Sequence, residues 1–144
     1  MMKSIQIKKE FSAPIADVFH LLSQHDTYNI AFAPIQVERI KDSTDPEHID
    51  GVGSVRRMGF GPIKPLKEQI TLFAPHHRIE YKIIKNPLVK YHLGIIEFEK
   101  VDVDKTLVTY TIELQTRTPF ISQLILAQLK VAIKVGFSKL AKTL

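Results

Sequence analysis

The 144-residue sequence predicts an α+β fold. In that fold a strongly curved antiparallel sheet of about seven strands wraps around a long C-terminal helix, with two short helices after the first strand. Three observations carry the prediction. Apolar and polar residues alternate at the start of the chain. Strand-like runs joined by short, turn-forming connectors fill its middle. An apolar segment with helical spacing closes it.

In the opening segment, Ile5, Ile7 and Phe11 share one side while Ser4, Gln6, Lys8 and Glu10 share the other, as in a half-buried strand over 3–11. Ser12, Ala13 and Pro14 end it, and Pro14 suits the first turn of a helix, where its missing N–H costs nothing. Ile15, Val18, Phe19 and Leu22 then fall at helical spacing, with Asp17 where the helix dipole favours an anion. This helix is expected to end near Gln24. Residues 25–34 are expected to be irregular or to hold another brief turn of helix. Strand-like runs follow at 35–41, 54–60, 66–73, 78–85, 90–101 and 107–116, after a polar loop over 42–52. Connectors such as Gly61-Pro62, Pro75-His76-His77, Asn86-Pro87 and residues 102–105 carry turn chemistry, and such short links make an antiparallel meander.

From Pro119 the period is helical again. Ile125, Leu129, Ala132, Ile133, Gly136, Phe137, Leu140 and Leu144 cluster in one arc, with Lys130, Lys134 and Lys142 away from it and Lys139 near its edge. A helix of about 24 residues is about 36 Å long, enough to cross a whole sheet. Its apolar arc must be buried against something of matching length. A sheet that curves around the helix without touching it throughout leaves room for a cavity between them.

One domain over residues 1–144 is expected, since the chain suffices for one core but not two. With 44% hydrophobic and 24% charged residues it falls among ordinary globular proteins rather than disordered chains. The absence of cysteine excludes disulfides, thiolate metal ligands and cysteine nucleophiles. The start shows no apolar core of a secretory signal, and no early stretch approaches the roughly 18 apolar residues of a membrane span. A reducing, cytoplasmic setting is therefore the expectation. The net charge of +5 is unevenly placed: residues 1–116 hold 15 basic and 15 acidic side chains. After Glu113 there is no acid, and Arg117, Lys130, Lys134, Lys139 and Lys142 supply the whole excess. That pattern fits a solvated helix face, an acidic partner or an anionic membrane surface, not a chain-wide field for nucleic acid.

Three segments resemble a known family. Residues 11–19 (Phe-Ser-Ala-Pro-Ile-Ala-Asp-Val-Phe), the glycine-led run Gly51-Val52-Gly53-Ser54-Val55-Arg56-Arg57 and the hairpin at 72–81, with Pro75, Arg78 and Tyr81, are similar in order and character to the START-like superfamily. This superfamily is also called birch-pollen-allergen-like or SRPBCC, and the match is to its polyketide cyclase/dehydrase and lipid-transport group. Where members often carry a tryptophan after the first helix, this chain has Tyr28 and Phe32, and residues 102–105 replace the usual glycine-rich turn. The resemblance implies a helix-grip fold with a ligand cavity. In the cyclases of that group, cavity polar residues guide the folding and dehydration of a poly-ketone, an arginine holding an enolate while a tyrosine or histidine moves protons.

Several strands carry a polar side chain on a mostly apolar face: Arg39, Arg56, Glu68, Tyr81, His92 and Tyr110. Burying such a group unpaired costs about 2–7 kcal/mol, so each needs a partner, a water or a ligand. Some can pair internally, Glu68 with an arginine for example, and others can sit at the rim of the sheet. Alternatively several converge on one apolar pocket, with Met58, Phe98 and Phe137 among its walls, and orient a ligand. The nine are the candidate cavity residues.

Other chemistries find no support. His76 and His77 are adjacent in a turn, where neighbouring side chains diverge, and none of the six histidines sits in a zinc or facial-triad pattern, so no metal is expected. The Gly-x-Gly runs are followed by neither a helix start nor Lys-Ser/Thr, and no serine lies in a Gly-x-Ser-x-Gly context. Most aromatics occupy core-like positions, unlike those of a base-stacking surface, so no nucleic acid is expected. No cofactor is implied. The function expected first is intracellular binding or transport of a small hydrophobic ligand, lipid-like, aromatic or isoprenoid, between sheet and C-terminal helix. The alternative is a polyketide cyclase/dehydrase-type enzyme acting on a carbonyl compound. A third is a membrane-associated quinone- or lipid-delivery protein that uses the basic C-terminal helix. The oligomeric state is not legible.

Overall fold

The structure, a computed structural model, describes residues 2–144. The chain runs β1 (Lys3–Phe11), α1 (Ile15–Ser23), α2 (Thr27–Ala31), β2 (Gln36–Lys41), β3 (Val55–Phe60), β4 (Ile63–Ala74), β5 (Arg78–Ile84), β6 (Val89–Asp102), β7 (Lys105–Thr116) and α3 (Pro119–Ala141). Every expected element is present. The segment 25–34 does form a brief helix, α2, and β4 starts three residues earlier than the alternation indicates, pairing tightly with β3 through the turn at Gly61.

All seven strands form one antiparallel sheet in the order β1-β7-β6-β5-β4-β3-β2. Strands β2 to β7 are a meander, and β1 closes beside β7, so α1 and α2 carry the chain from one edge of the sheet to the other. Register shifts interrupt the ladders between Arg39 and Lys41, Met58 and Phe60, and Ile70 and Leu72. Such bulges bend and twist a strand, which curves the sheet around α3.

The C-terminal helix starts with proline in its first turn and is tied to the end of β7. The Thr116 backbone N–H donates to Ser122 Oγ at 3.0 Å, and the two hydroxyl oxygens lie 2.6 Å apart, fully inside the protein. The buried side of α3 is Ser122, Leu126, Ile133, Gly136, Phe137 and Leu140. Leu126 and Ser122 were outside the arc read from the sequence, and Leu144, placed in it, lies beyond the helix and exposed. Gly136 is where α2 crosses: a Cβ there would stand 3.1 Å from the Ala31 carbonyl oxygen and from the Phe32 ring.

The inside of the sheet is filled unevenly. At one end Phe11, Val18, Phe19, Leu22, Phe98, Val108, Phe137 and Leu140 pack into a core, with Phe11 edge-on to Phe137 at 5.6 Å and Phe19 edge-on to Phe98 at 4.9 Å. At the other end β3, β4 and β5 stand away from the first half of α3, and among the described residues no element fills the space between.

Candidate functional site

That space is a cavity of about 860 Å3, partly open to solvent. Its walls are largely aliphatic: Ile83 on β5, Ile112 and Leu114 on β7, and Ile125, Leu129 and Ile133 on α3. One corner is polar, and sheet register assembles it.

Arg56 on β3 stands directly across from Glu68 on β4. Arg56 Nε and Nη2 each lie 2.9 Å from Glu68 Oε1, with both side chains almost wholly buried. The guanidinium lies over the rings of Tyr28 and Tyr81, their centroids 4.9 and 5.0 Å from Cζ, an arrangement in which each ring face favours the cation. Burial works against the Arg56 charge, but Glu68 together with Tyr28, Tyr81 and Tyr110 more than offsets it and the guanidinium is held protonated. Burial pushes the Glu68 carboxyl up, against the pull of Arg56. Arginine keeps its proton in proteins, so the cation of the pair persists.

Tyr81 lies across from Gly94, and a Cβ at that glycine would run into the Tyr81 ring at 2.2 Å. Glycine at this point of β6 therefore lets the ring lie flat over the strand and project its hydroxyl inward. There it shares a hydrogen bond with the Tyr110 hydroxyl from β7. Tyr28 on α2 donates to the Leu22 carbonyl oxygen at 2.6 Å. Burial pushes all three phenols up, Tyr28 to about 12, so they remain neutral.

His92 completes the corner. The Ile83 backbone N–H donates to its Nδ1 at 3.0 Å, which leaves the proton of the neutral ring on Nε2. Burial, and then the Arg56 charge, lower its pKa to about 4. The Nε2–H makes no hydrogen bond to any described residue and belongs to the cavity wall. The corner thus offers a neutral imidazole donor, two linked phenols and a carboxylate whose Oε2 the ion pair leaves uncovered. The apolar remainder fixes nothing but shape.

Of the nine residues singled out in the sequence, the structure brings Arg56, Met58, Glu68, Tyr81, His92 and Tyr110 to this cavity. Three lie elsewhere. Arg39 is on the edge strand at a bulge and turns out toward the 42–50 loop, 2.9 Å from Asp42 and 2.7 Å from Asp50. Phe98 and Phe137 share faces with cavity residues, but further along, where α1 and the second half of α3 fill the interior. Sequence reasoning missed Tyr28, whose ring covers Arg56; its signal was the place it takes after the first helix. Among the described residues no group of three or more His, Asp or Glu could hold a metal.

A curved sheet gripping a helix over an apolar cavity with one polar corner defines the START-like, birch-pollen-allergen-like class of domain. The family model for polyketide cyclase / dehydrase and lipid transport matches residues 2–144, and the chain belongs to that family. Among solved structures it is similar to the Zhui aromatase/cyclase of Streptomyces sp. R1128, with 17% identity and a TM-score of 0.76 over 99% of this chain and 94% of that one. It is also similar to norcoclaurine synthase of Thalictrum flavum in complex with dopamine and hydroxybenzaldehyde (20%, 0.73, 99% and 88%). Ara h 8.0201 shares the fold at 13% identity and a TM-score of 0.68, covering 98% and 99% of the two chains. No curated protein sequence matches this chain.

Proposed function

We propose that the protein binds a small hydrophobic ligand, lipid-like, aromatic or isoprenoid, in the cavity between the sheet and α3. The observation that carries this reading is the cavity itself, whose volume of about 860 Å3 is within the range of small-molecule sites. Affinity would come mainly from apolar area, at about 25 cal/mol per Å2 before the costs of association. The polar corner sets orientation. With Arg56 neutralised by Glu68, the ligand end that meets it is a neutral oxygen-bearing group and not a free carboxylate. The aromatic compounds bound to norcoclaurine synthase are of a size and type that support the reading. Native mass spectrometry of the purified protein, followed by displacement of a fluorescent apolar probe, tests it. A retained or displaceable ligand is expected; none across a broad panel of apolar compounds refutes it.

A second reading, a cyclase/dehydrase-type enzyme acting on a carbonyl compound, is favoured by one particular: the His92 ring, with its proton on Nε2, lies 5.4 Å from the ring of Tyr81, whose hydroxyl is linked to that of Tyr110. A donor aimed at a carbonyl oxygen stabilises the enolate that forms when a neighbouring carbon loses its proton, and the linked phenols relay that proton by giving up one of their own to water in the open cavity, so that both end neutral. Incubation with aryl ketones bearing acidic α-hydrogens in deuterated water separates the two readings. Protein-dependent α-exchange that is lost in His92→Phe supports the enzyme; binding without exchange leaves the carrier.

A further inference from the structure

The solvent side of α3 is not polar. Phe120, Leu124, Val131 and Val135 fall on one side of the helix, opposite the buried side, and with Ile121 they are exposed by between 44 and 72%. The same helix is long and apolar enough to cross a bilayer by length and composition. Its other side, however, is packed into the domain core, so it can lie along an apolar phase but not through one. Ile121 and Val135 also border the cavity, which joins this stripe to the cavity mouth. On the far lip of that mouth, the turn from β3 to β4 exposes Phe60 and Ile63, and the turn from β5 to β6 exposes Leu88. Apolar surface of this extent, in a soluble-looking domain, marks a contact site.

The charges around it are of one sign. Lys130 and Lys134 flank the stripe on one side, Lys139 stands at the other beside Val135, and Arg117 lies at the mouth. Among the described residues the only carboxylate in the cavity wall is Glu68, which is buried and paired, and residues 114–144 contain none. Two copies meeting through this face by a two-fold axis would bring cations against cations. A surface of anionic lipid headgroups over acyl chains complements both the lysines and the apolar side chains between them.

We infer that the solvent side of α3 and the lips of the cavity form a docking surface for an anionic lipid bilayer, so that the cavity mouth opens onto the membrane. The docking does not depend on what the cavity holds. A guest leaving the bilayer through this mouth would avoid crossing water.

The test is flotation of the purified protein with phosphatidylcholine vesicles, with and without phosphatidylglycerol. Binding is expected only with the anionic lipid, weakened about fivefold for each of Lys130→Gln and Lys134→Gln. The triple variant Phe120→Gln, Leu124→Gln, Val131→Gln replaces side chains outside the cavity wall with good helix formers. It is expected to abolish flotation while probe binding in solution is unchanged. Absent flotation on anionic vesicles, or flotation indifferent to the triple variant, overturns the proposal. So does sedimentation velocity showing a wild-type dimer that the triple variant dissolves, with no vesicle binding. Vesicle binding without probe binding would instead sink the ligand reading and leave the docking standing.

Discussion

Arg56 and Glu68 show how a buried charge is tolerated at the cavity corner: each satisfies the other, and Tyr28 and Tyr81 cover the guanidinium. Removing one partner leaves an uncompensated charge in a low-dielectric site, at a cost of about 3–5 kcal/mol. Glu68→Gln should therefore lower stability by about that amount in urea unfolding, while the double variant Arg56→Met, Glu68→Leu should lose much less. The two buried histidines make a separate prediction. Burial holds His92, and His25 beside Asp50, down to about 4 when folded, against 6.5 for the ordinary side chain. Between these values the unfolded chain takes up protons that the native state refuses, so stability is complete above about pH 6.5 and falls toward pH 4, by up to about 3 kcal/mol per histidine. Urea titrations at pH 7.5 and 4.5 should show this, with a shallower fall in His92→Gln. Stability that is flat over that window would contradict the burial of both rings. At this scale the sequence was informative where alternation held. The polar side chains on apolar faces of β3 to β7 did meet, whereas Arg39, on an edge strand with a bulge, escaped outward to two aspartates that no strand pattern reveals.

Elements matter here through how closely they approach. Gly94 lets β6 pass beneath the Tyr81 ring, and Gly136 lets α3 touch α2. Gly94→Ala should displace Tyr81 from the Tyr110 hydroxyl, costing about 1–3 kcal/mol of stability and weakening probe binding more than an alanine elsewhere on β6 would. Thermal melts and probe titrations of Gly94→Ala beside Glu99→Ala, at an exposed position of the same strand, check both effects. Element identity was readable because the period changes cleanly from two to 3.6 at Pro14 and back after Pro34, and again at Pro119. The face that α3 buries was read only in part. A helix apolar on nearly all sides has a weakly defined arc, which is why Leu126 was not assigned inward and Phe120, Leu124 and Val131 were not recognised as an exposed stripe.

Over the whole molecule, the fold does one thing that its elements do not do alone: it fills half of its interior and leaves the other half open. Alternating strand faces look the same in both halves, so a sequence can announce an apolar interior without saying which part of it is solid. The packing of α1 and the second half of α3 onto Phe11, Phe19, Phe98 and Phe137 decides it. A guest bound in the open half would stabilise the protein by mass action, by about 2.7 kcal/mol at a free concentration of 100 Kd. The most direct measurement is a titration with a fluorescent apolar probe of the wild type and of Ala132→Trp, a residue on the cavity wall whose enlargement fills the space near the mouth. Saturable binding at one site per chain, lost in Ala132→Trp while the variant remains folded, is the predicted result. No saturable binding, or binding indifferent to the tryptophan, would contradict a ligand seated between the sheet and α3.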